Sequence, residues 1–169
     1  MNEQYSQPVA FKVNGREYSF VVGRDFEPED SLAVVLREKL GFTGVKLACG
    51  QGACGACTVL LNGETVLSCM MLAVEAQGGE ILTADGLPED DPVIAAFVEM
   101  NEPDYGTAMQ CGFCTPGMIL ASECLLAKTP NPSEEEIRAG ISGNLCRCTG
   151  YNSIVKAIGI AAKEGKGLW

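Results

Sequence analysis

The chain has 169 residues, of which 47% are apolar and 20% charged, a balance that supports a packed core and excludes a disordered composition. That length serves for one ordinary domain or two small ones. A formal charge of −10 sets nucleic acid and anionic membrane surfaces aside as partners, because both would repel it; either general solubility or an acidic docking face accounts for the excess.

The first residues, Met-Asn-Glu-Gln-Tyr-Ser-Gln-Pro, carry no basic region, no apolar stretch and no twin arginine, so the protein is expected in the cytoplasm. Val9–Val13, Asn14-Gly15 and Glu17–Val22 spell two β-favouring runs around a hairpin turn. Ser31–Leu40 has Leu32, Val35, Leu36 and Leu40 at helical spacing, with Glu29 and Asp30 at its start and Gly41 as its stop. A cysteine-rich loop follows, then a second hairpin pattern in Thr58–Leu61, Asn62-Gly63 and Thr65–Ser68. Ala84–Pro92 is rich in breakers and acids, as a linker would be, which divides the chain near residue 85 into units 1–85 and 86–169.

Beyond that point the periodicity is helical. Val93–Met100, Pro116–Ala127, Ser133–Gly140 and Ile154–Ala162 each predict a helix, with Thr115 as N-cap ahead of Pro116 and Ser133 with Glu136 as a capping box. Apolar runs such as Pro92–Val98 and Gly117–Ala127 are too short to span a bilayer. The expected class is α+β, a small sheet with one helix followed by an all-helical half. Cys114-Thr115-Pro116-Gly117 and Cys148-Thr149-Gly150-Tyr151 form a faint repeat, each leading from a cysteine turn into a helix.

Nine cysteines in a reducing compartment point to metal or redox chemistry rather than disulfides. Histidine is absent, which removes mixed cysteine–histidine zinc sites, Rieske clusters, histidine-ligated haem and any serine–histidine or cysteine–histidine catalytic pair. Cys49, Cys54, Cys57 and Cys69 have the C-x4-C-x2-C…C spacing of a plant-type [2Fe-2S] site. The cluster they would hold is an anion, and Gly50, Gly52, Ala53, Gly55 and Ala56 let the backbone wrap close enough to aim N–H groups at it. Gly50-Gln51-Gly52-Ala53-Cys54-Gly55 also matches a dinucleotide-binding pattern, but it contains a thiol and runs into a strand rather than a helix, so that reading is rejected. Cys111, Cys114, Cys146 and Cys148 offer a second thiolate set on two short turns, for which a four-cysteine zinc site is the alternative. Cys124, in an apolar helical run, reads as a buried small hydrophobe, and Met70, Met71, Met100 and Met118 read as core filler. Arg147 either offsets cluster charge or is simply solvated.

Three motifs then carry a family resemblance: Cys-Gly-Gln-Gly-Ala-Cys-Gly-Ala-Cys-Thr-Val at 49–59, Gln-Cys-Gly-Phe-Cys-Thr-Pro-Gly at 110–117, and Gly-Asn-Leu-Cys-Arg-Cys-Thr-Gly-Tyr at 143–151. In this the chain resembles the small iron–sulfur subunit of the molybdenum hydroxylases, the xanthine dehydrogenase/oxidase family that includes aerobic carbon monoxide dehydrogenase. The resemblance implies a β-grasp plant-type ferredoxin-like domain followed by a four-helix-bundle [2Fe-2S]-binding domain. It implies two [2Fe-2S] clusters, with molybdopterin on a large partner subunit and FAD on a medium one. It places Gln110 and Cys148 near the pterin edge, Cys148 remaining a cluster ligand. Electrons would pass from the molybdenum centre through the Cys111/Cys114/Cys146/Cys148 site to the Cys49/Cys54/Cys57/Cys69 site and on to flavin. No substrate chemistry falls on this chain. The expected assembly is a hetero-oligomer, with a dimer of heterotrimers as one arrangement; the rival is a free-standing two-cluster carrier. The tail Gly167-Leu168-Trp169 reads either as a partner anchor or as a frayed end.

Overall fold

A computed structural model describes residues 8–104 and 106–165. The N-terminal stretch before Pro8 and the Gly167-Leu168-Trp169 tail lie outside the described residues. Strands β1 (Pro8–Val13) and β2 (Arg16–Val21) pair antiparallel about Asn14-Gly15, whose φ angles of 52° and 76° are those of the tight turn that matches strand twist. Asn62-Gly63 repeats the device between β3 (Thr58–Leu61) and β4 (Glu64–Leu67).

The strand that unites the two hairpins is β5 (Glu80–Leu82), parallel to β1 and antiparallel to β3, giving the order β2-β1-β5-β3-β4. Across this sheet lies α1 (Leu32–Val34), capped by the Ser31 hydroxyl. The expected helix to Leu40 instead widens into a π turn over Val35–Lys39, with the Leu40 N–H bonded to the Val35 carbonyl at 3.1 Å. Gly41, at φ 79°, ends it. Phe11, Val13, Leu32, Val35, Leu36, Val59 and Ile81 are each no more than 2% exposed. Each such side chain contributes about 1.5–3 kcal/mol on leaving water, so this core holds the helix on the sheet. A mixed sheet clasping one helix is the β-grasp arrangement.

The second half holds α2 (Pro92–Glu99), α3 (Thr115–Lys128), α4 (Glu134–Gly140) and α5 (Asn152–Glu164), with a two-residue hairpin, β6 (Asn101–Glu102) and β7 (Gly106–Thr107), between α2 and α3. Asp91 caps α2, accepting from the Val93 and Ile94 N–H groups at 2.9 and 3.0 Å. The Ser133/Glu136 capping box forms as expected. Thr115 does not act as a cap: α3 starts one residue earlier, so Thr115 is its first residue, and Cys114 holds the cap position without a side-chain bond. Phe97, Met118, Leu126, Ile154 and Ile158 fill the bundle. No helix among the described residues is long and apolar enough to cross a membrane.

The breaker-rich connection is tied down rather than loose. Asn14 and Thr83 exchange hydrogen bonds at 2.9 Å in both directions, and the Asp85 carboxylate accepts the Gly44 N–H at 3.1 Å. The halves also share a small apolar seam, in which Leu60 of β3 packs with Leu120 and Cys124 of α3. Cys124 is buried as expected, its thiol donating to the Gly63 carbonyl at 3.4 Å.

One ionisable group is out of place in this packing. Glu123 on α3 has a buried Oε1 with no hydrogen-bond donor near it, and burial, with the Asp91 carboxylate adding, pushes its carboxyl up to about 8. It is therefore largely protonated at neutral pH, with a proton to offer Asp91. Between the ordinary value of 4.5 and about 8 the unfolded chain has released a proton that the folded chain keeps, so raising pH through this window costs stability. Glu123→Gln removes that titration. Thermal unfolding of the holoprotein should show the variant gaining on the wild type as pH rises through the window, with the gap level above it; a gap independent of pH refutes the shift.

Candidate iron–sulfur centres

The first cysteine set sits where the β-grasp core meets solvent. Cys49, Cys54 and Cys57 lie on the loop between the π turn and β3, and Cys69 lies in the helical turn Ser68–Met70 after β4. Arg37 anchors the approach to this loop by donating to the Thr43 and Val45 carbonyls at 3.1 and 3.0 Å. Gly50, Gly52 and Gly55 all have positive φ, between 63° and 74°, which turns the chain tightly around the thiols. The Ala53 N–H points at Cys49 Sγ at 3.3 Å. The Gln51 N–H, followed by the Cys54 thiol, pulls Cys49 down to about 6, so the loop is built to hold a thiolate there. Cys57 is 3% exposed, and burial, together with the Cys69 thiol beside it, pushes it up to about 11. The rejected dinucleotide pattern is indeed a loop running into a strand.

The second set is assembled from two turns of the helical half. Cys111 and Cys114 precede α3, Cys146 and Cys148 lie between α4 and α5, and packing brings Cys148 Sγ to 3.6 Å from Cys111 Sγ. Burial, with the Cys146 thiol and the Cys111 charge adding, raises Cys114 to about 12. At Cys146 burial also pushes upward, but the Thr149 hydroxyl, 3.1 Å from Sγ, and the N–H groups of Thr149 and Cys148 outweigh it and the thiol ends below its ordinary value. Cys148 is raised, chiefly by the Cys111 thiol. Cys111 and Cys148 are exposed, whereas Cys114 and Cys146 are half-buried.

Thiols in both sets meet pairwise: Cys49 with Cys54, Cys57 with Cys69, Cys111 with Cys148, Cys114 with Cys146. Among the described residues no three cysteine, aspartate or glutamate side chains converge as they would on a single ion. A zinc ion draws all its thiolates to one point, whereas a [2Fe-2S] rhomb takes two at each iron, so the donor sets fit the two-iron group.

Residues other than the cysteines organise these loops. Tyr151, in the left-handed region at φ 72°, accepts the Cys146 N–H on its hydroxyl at 2.7 Å and donates toward the Asn144 carbonyl at 3.4 Å. Asn144 is buried and reaches into the first cysteine loop. Polar residues at short offsets from a Cys-x-Cys turn were the available signal. Gln110 is exposed next to Cys111, and Arg147 is exposed. Met100 and Met118 are core residues as expected and Met71 packs on the first core, but Met70 is not: it is 61% exposed and lies over Gly52, because the helical turn that presents Cys69 aims the next side chain outward.

A domain architecture of two tandem iron–sulfur modules is matched by family models: "2Fe-2S iron-sulfur cluster binding domain" over residues 11–83 and "[2Fe-2S] binding domain" over residues 83–159. The chain is 44% identical to the nicotinate dehydrogenase small FeS subunit of Eubacterium barkeri, over 92% of this chain and 95% of that one. It is 41% identical to the nicotine 6-hydroxylase small subunit of Paenarthrobacter nicotinovorans, over 87% and 84%. Quinoline 2-oxidoreductase from Pseudomonas putida 86 superimposes with a TM-score of 0.85 at 39% identity, covering 96% of this chain and 98% of the matched chain. The chain belongs to the small iron–sulfur subunits of the molybdenum hydroxylase family, and it serves electron transfer.

If the two sets are independent sites, Cys57→Ser should lower iron from about four to about two per chain while sparing the signal of the second centre. Cys114→Ser should do the converse. Iron analysis with electron paramagnetic resonance (EPR) checks both, and loss of all iron in either variant refutes independent sites.

Proposed function

We propose that this chain conducts electrons from a molybdopterin centre on a large subunit to FAD on a medium subunit, entering at Cys111/Cys114/Cys146/Cys148 and leaving at Cys49/Cys54/Cys57/Cys69. Bound [2Fe-2S] clusters supply one-electron redox chemistry at each site. The protein divides this work near residue 85, with residues 1–85 holding the exit site and 86–169 the entrance site.

The observation that carries the reading is a single backbone contact. The Leu145 N–H donates to the Cys54 carbonyl at 2.8 Å, so a ligand of one set is joined by one hydrogen bond to the residue before a ligand of the other. Exposure supports the order. Cys111 and Cys148 open to solvent beside exposed Gln110, Phe113 and Leu145, which is the edge a molybdopterin-bearing partner would cover, with Gln110 and Cys148 nearest the pterin. Backbone N–H groups aimed at Cys49 and Cys146 hold their negative charge and so tune each site. Among the described residues nothing is arranged for substrate chemistry, and the substrate is set by the partner's pocket. We place the complex in the cytoplasm, as a hetero-oligomer of this chain with a large and a medium subunit, a dimer of heterotrimers being one arrangement.

Cys146→Ser in the assembled enzyme tests the path. Substrate should still reduce the molybdenum centre, while flavin reduction in the same rapid-mixing experiment should fall to a small fraction of the wild-type rate. Full-rate flavin reduction without the second centre sinks the proposal. Gel filtration from the native host tests the assembly: co-elution with two larger chains supports it, and elution alone favours the free carrier.

A further inference from the structure

The strongest feature outside the ligands is the polar seam between the two cysteine loops, and its centre is Asn144. This side chain is 6% exposed, and its Nδ2 donates to the Gly55 carbonyl at 2.9 Å and to the Thr58 hydroxyl at 3.1 Å. Thr58 in turn donates to the same Gly55 carbonyl at 2.7 Å. Gly55 lies between Cys54 and Cys57, Thr58 directly follows Cys57, and Asn144 stands two residues before Cys146. The network therefore ends within two residues of a thiol on both sides.

The backbones around it are as close as they can be. A Cβ on Gly55 would come to 2.4 Å from the Gly143 carbonyl and 2.8 Å from Asn144 Nδ2, and a Cβ on Gly117 would come to 2.5 Å from the Gly55 carbonyl. Three segments meet there: the first cysteine loop, the start of α3 just after Cys114, and the turn before Cys146. Glycine provides the space, and Asn144 supplies the directional bonds that fix the spacing.

We infer that Asn144 is the positioning residue that sets the separation and orientation of the two iron–sulfur sites, acting through Gly55 and Thr58 on one loop and through Leu145 and Cys146 on the other. The inference rests on the relay proposed above and adds to it a residue that holds no iron. In the relay step the second site loses one electron and the first gains it, with no proton moved, so rate depends on distance and on the bonded path between them. Asn144 fixes the distance and holds in register the shorter bonded path, the Leu145 N–H to the Cys54 carbonyl. It also lines a cleft of about 330 Å³ with Ala53, Thr58, Ala121 and Gly143, so water can replace the lost donor in a variant and the loops need not unfold.

Asn144→Ala and Asn144→Asp, made in the assembled enzyme, test this. The aspartate keeps the shape but replaces the donor with an acceptor, so a space-filling role predicts wild-type behaviour from it, whereas a positioning role predicts the same defect as alanine. Expected in both are about four irons per chain, the two individual EPR signals, a reduced or absent spin–spin splitting between the reduced centres, and flavin reduction slowed several-fold with molybdenum reduction unchanged. Gly117→Ala, which keeps the Asn144 amide but wedges a methyl group against the Gly55 carbonyl and Asn144 Nδ2, should alter the splitting as well. Wild-type splitting in the loaded asparagine variants, or in Gly117→Ala should they fail to load, overturns the inference. A wild-type enzyme without two interacting [2Fe-2S] signals would instead overturn the relay.

Discussion

Close approach of backbone to backbone is the constraint on which this protein depends. Two anionic sites must each be wrapped tightly by N–H groups, and the closer the two wrappings lie the faster an electron passes between them. Side chains are an obstacle to both. At Gly55 and Gly117 a Cβ would run into the facing backbone, and the buried polar side chains at the contact, Asn144 and Thr58, both donate to the Gly55 carbonyl.

The rest of the fold delivers those segments to that place. The hairpin turn at Asn62-Gly63 returns β4 beside β3, which brings Cys69 back to the loop that carries Cys57. The same hairpin is the surface on which α3 lies, through Leu60, Leu120 and Cys124 and an ion pair between Lys128 and Glu64. Because α3 begins at Thr115, docking it on the hairpin also sets the position of Cys114. The exposed ion pair adds little in energy. Its place, at the far end of α3 from the cysteines, means that the helix is held at both ends, by the seam at its start and by the hairpin along its length.

Much of this was legible in the residues. Both Asn-Gly turns, the Ser133/Glu136 cap and the helical half were read correctly because each is a local matter of turn chemistry or of periodicity long enough to register. β5 was not seen: at Glu80–Leu82 it is too short to show alternation, and it is a strand only because β1 and β3 lie on either side of it. The π turn at Val35–Lys39 escaped for a similar reason, since its apolar spacing is that of an ordinary helix. Thr115 precedes a proline, as an N-cap often does, yet it is already the first residue of α3, because the cap position falls on Cys114. At the sites, cysteine spacing suggested which thiols belong together but could not reveal Asn144, whose partners lie far away in sequence, at Gly55 and Thr58. Nor could it show that Met70 would be turned out of the core by the geometry that turns Cys69 inward.

Burial differs between the two sets in a way that bears on whether the chain works alone. In the first set the protein itself dries one thiol almost completely, since Cys57 is 3% exposed. In the second, Cys111 and Cys148 remain open, on a surface that also exposes Phe113 and Leu145 at 45% and 55%. Solvent exposure is one of the levers that set the potential of an iron–sulfur site. A carrier that meets several partners needs that potential fixed before it docks. A subunit can leave the drying of its outer thiols to the neighbour that covers them, so that the site reaches its working potential only within the assembly. The apolar residues around the open thiols suit a surface made to be covered, and behind it the Leu145 N–H bonds the Cys54 carbonyl of the first loop.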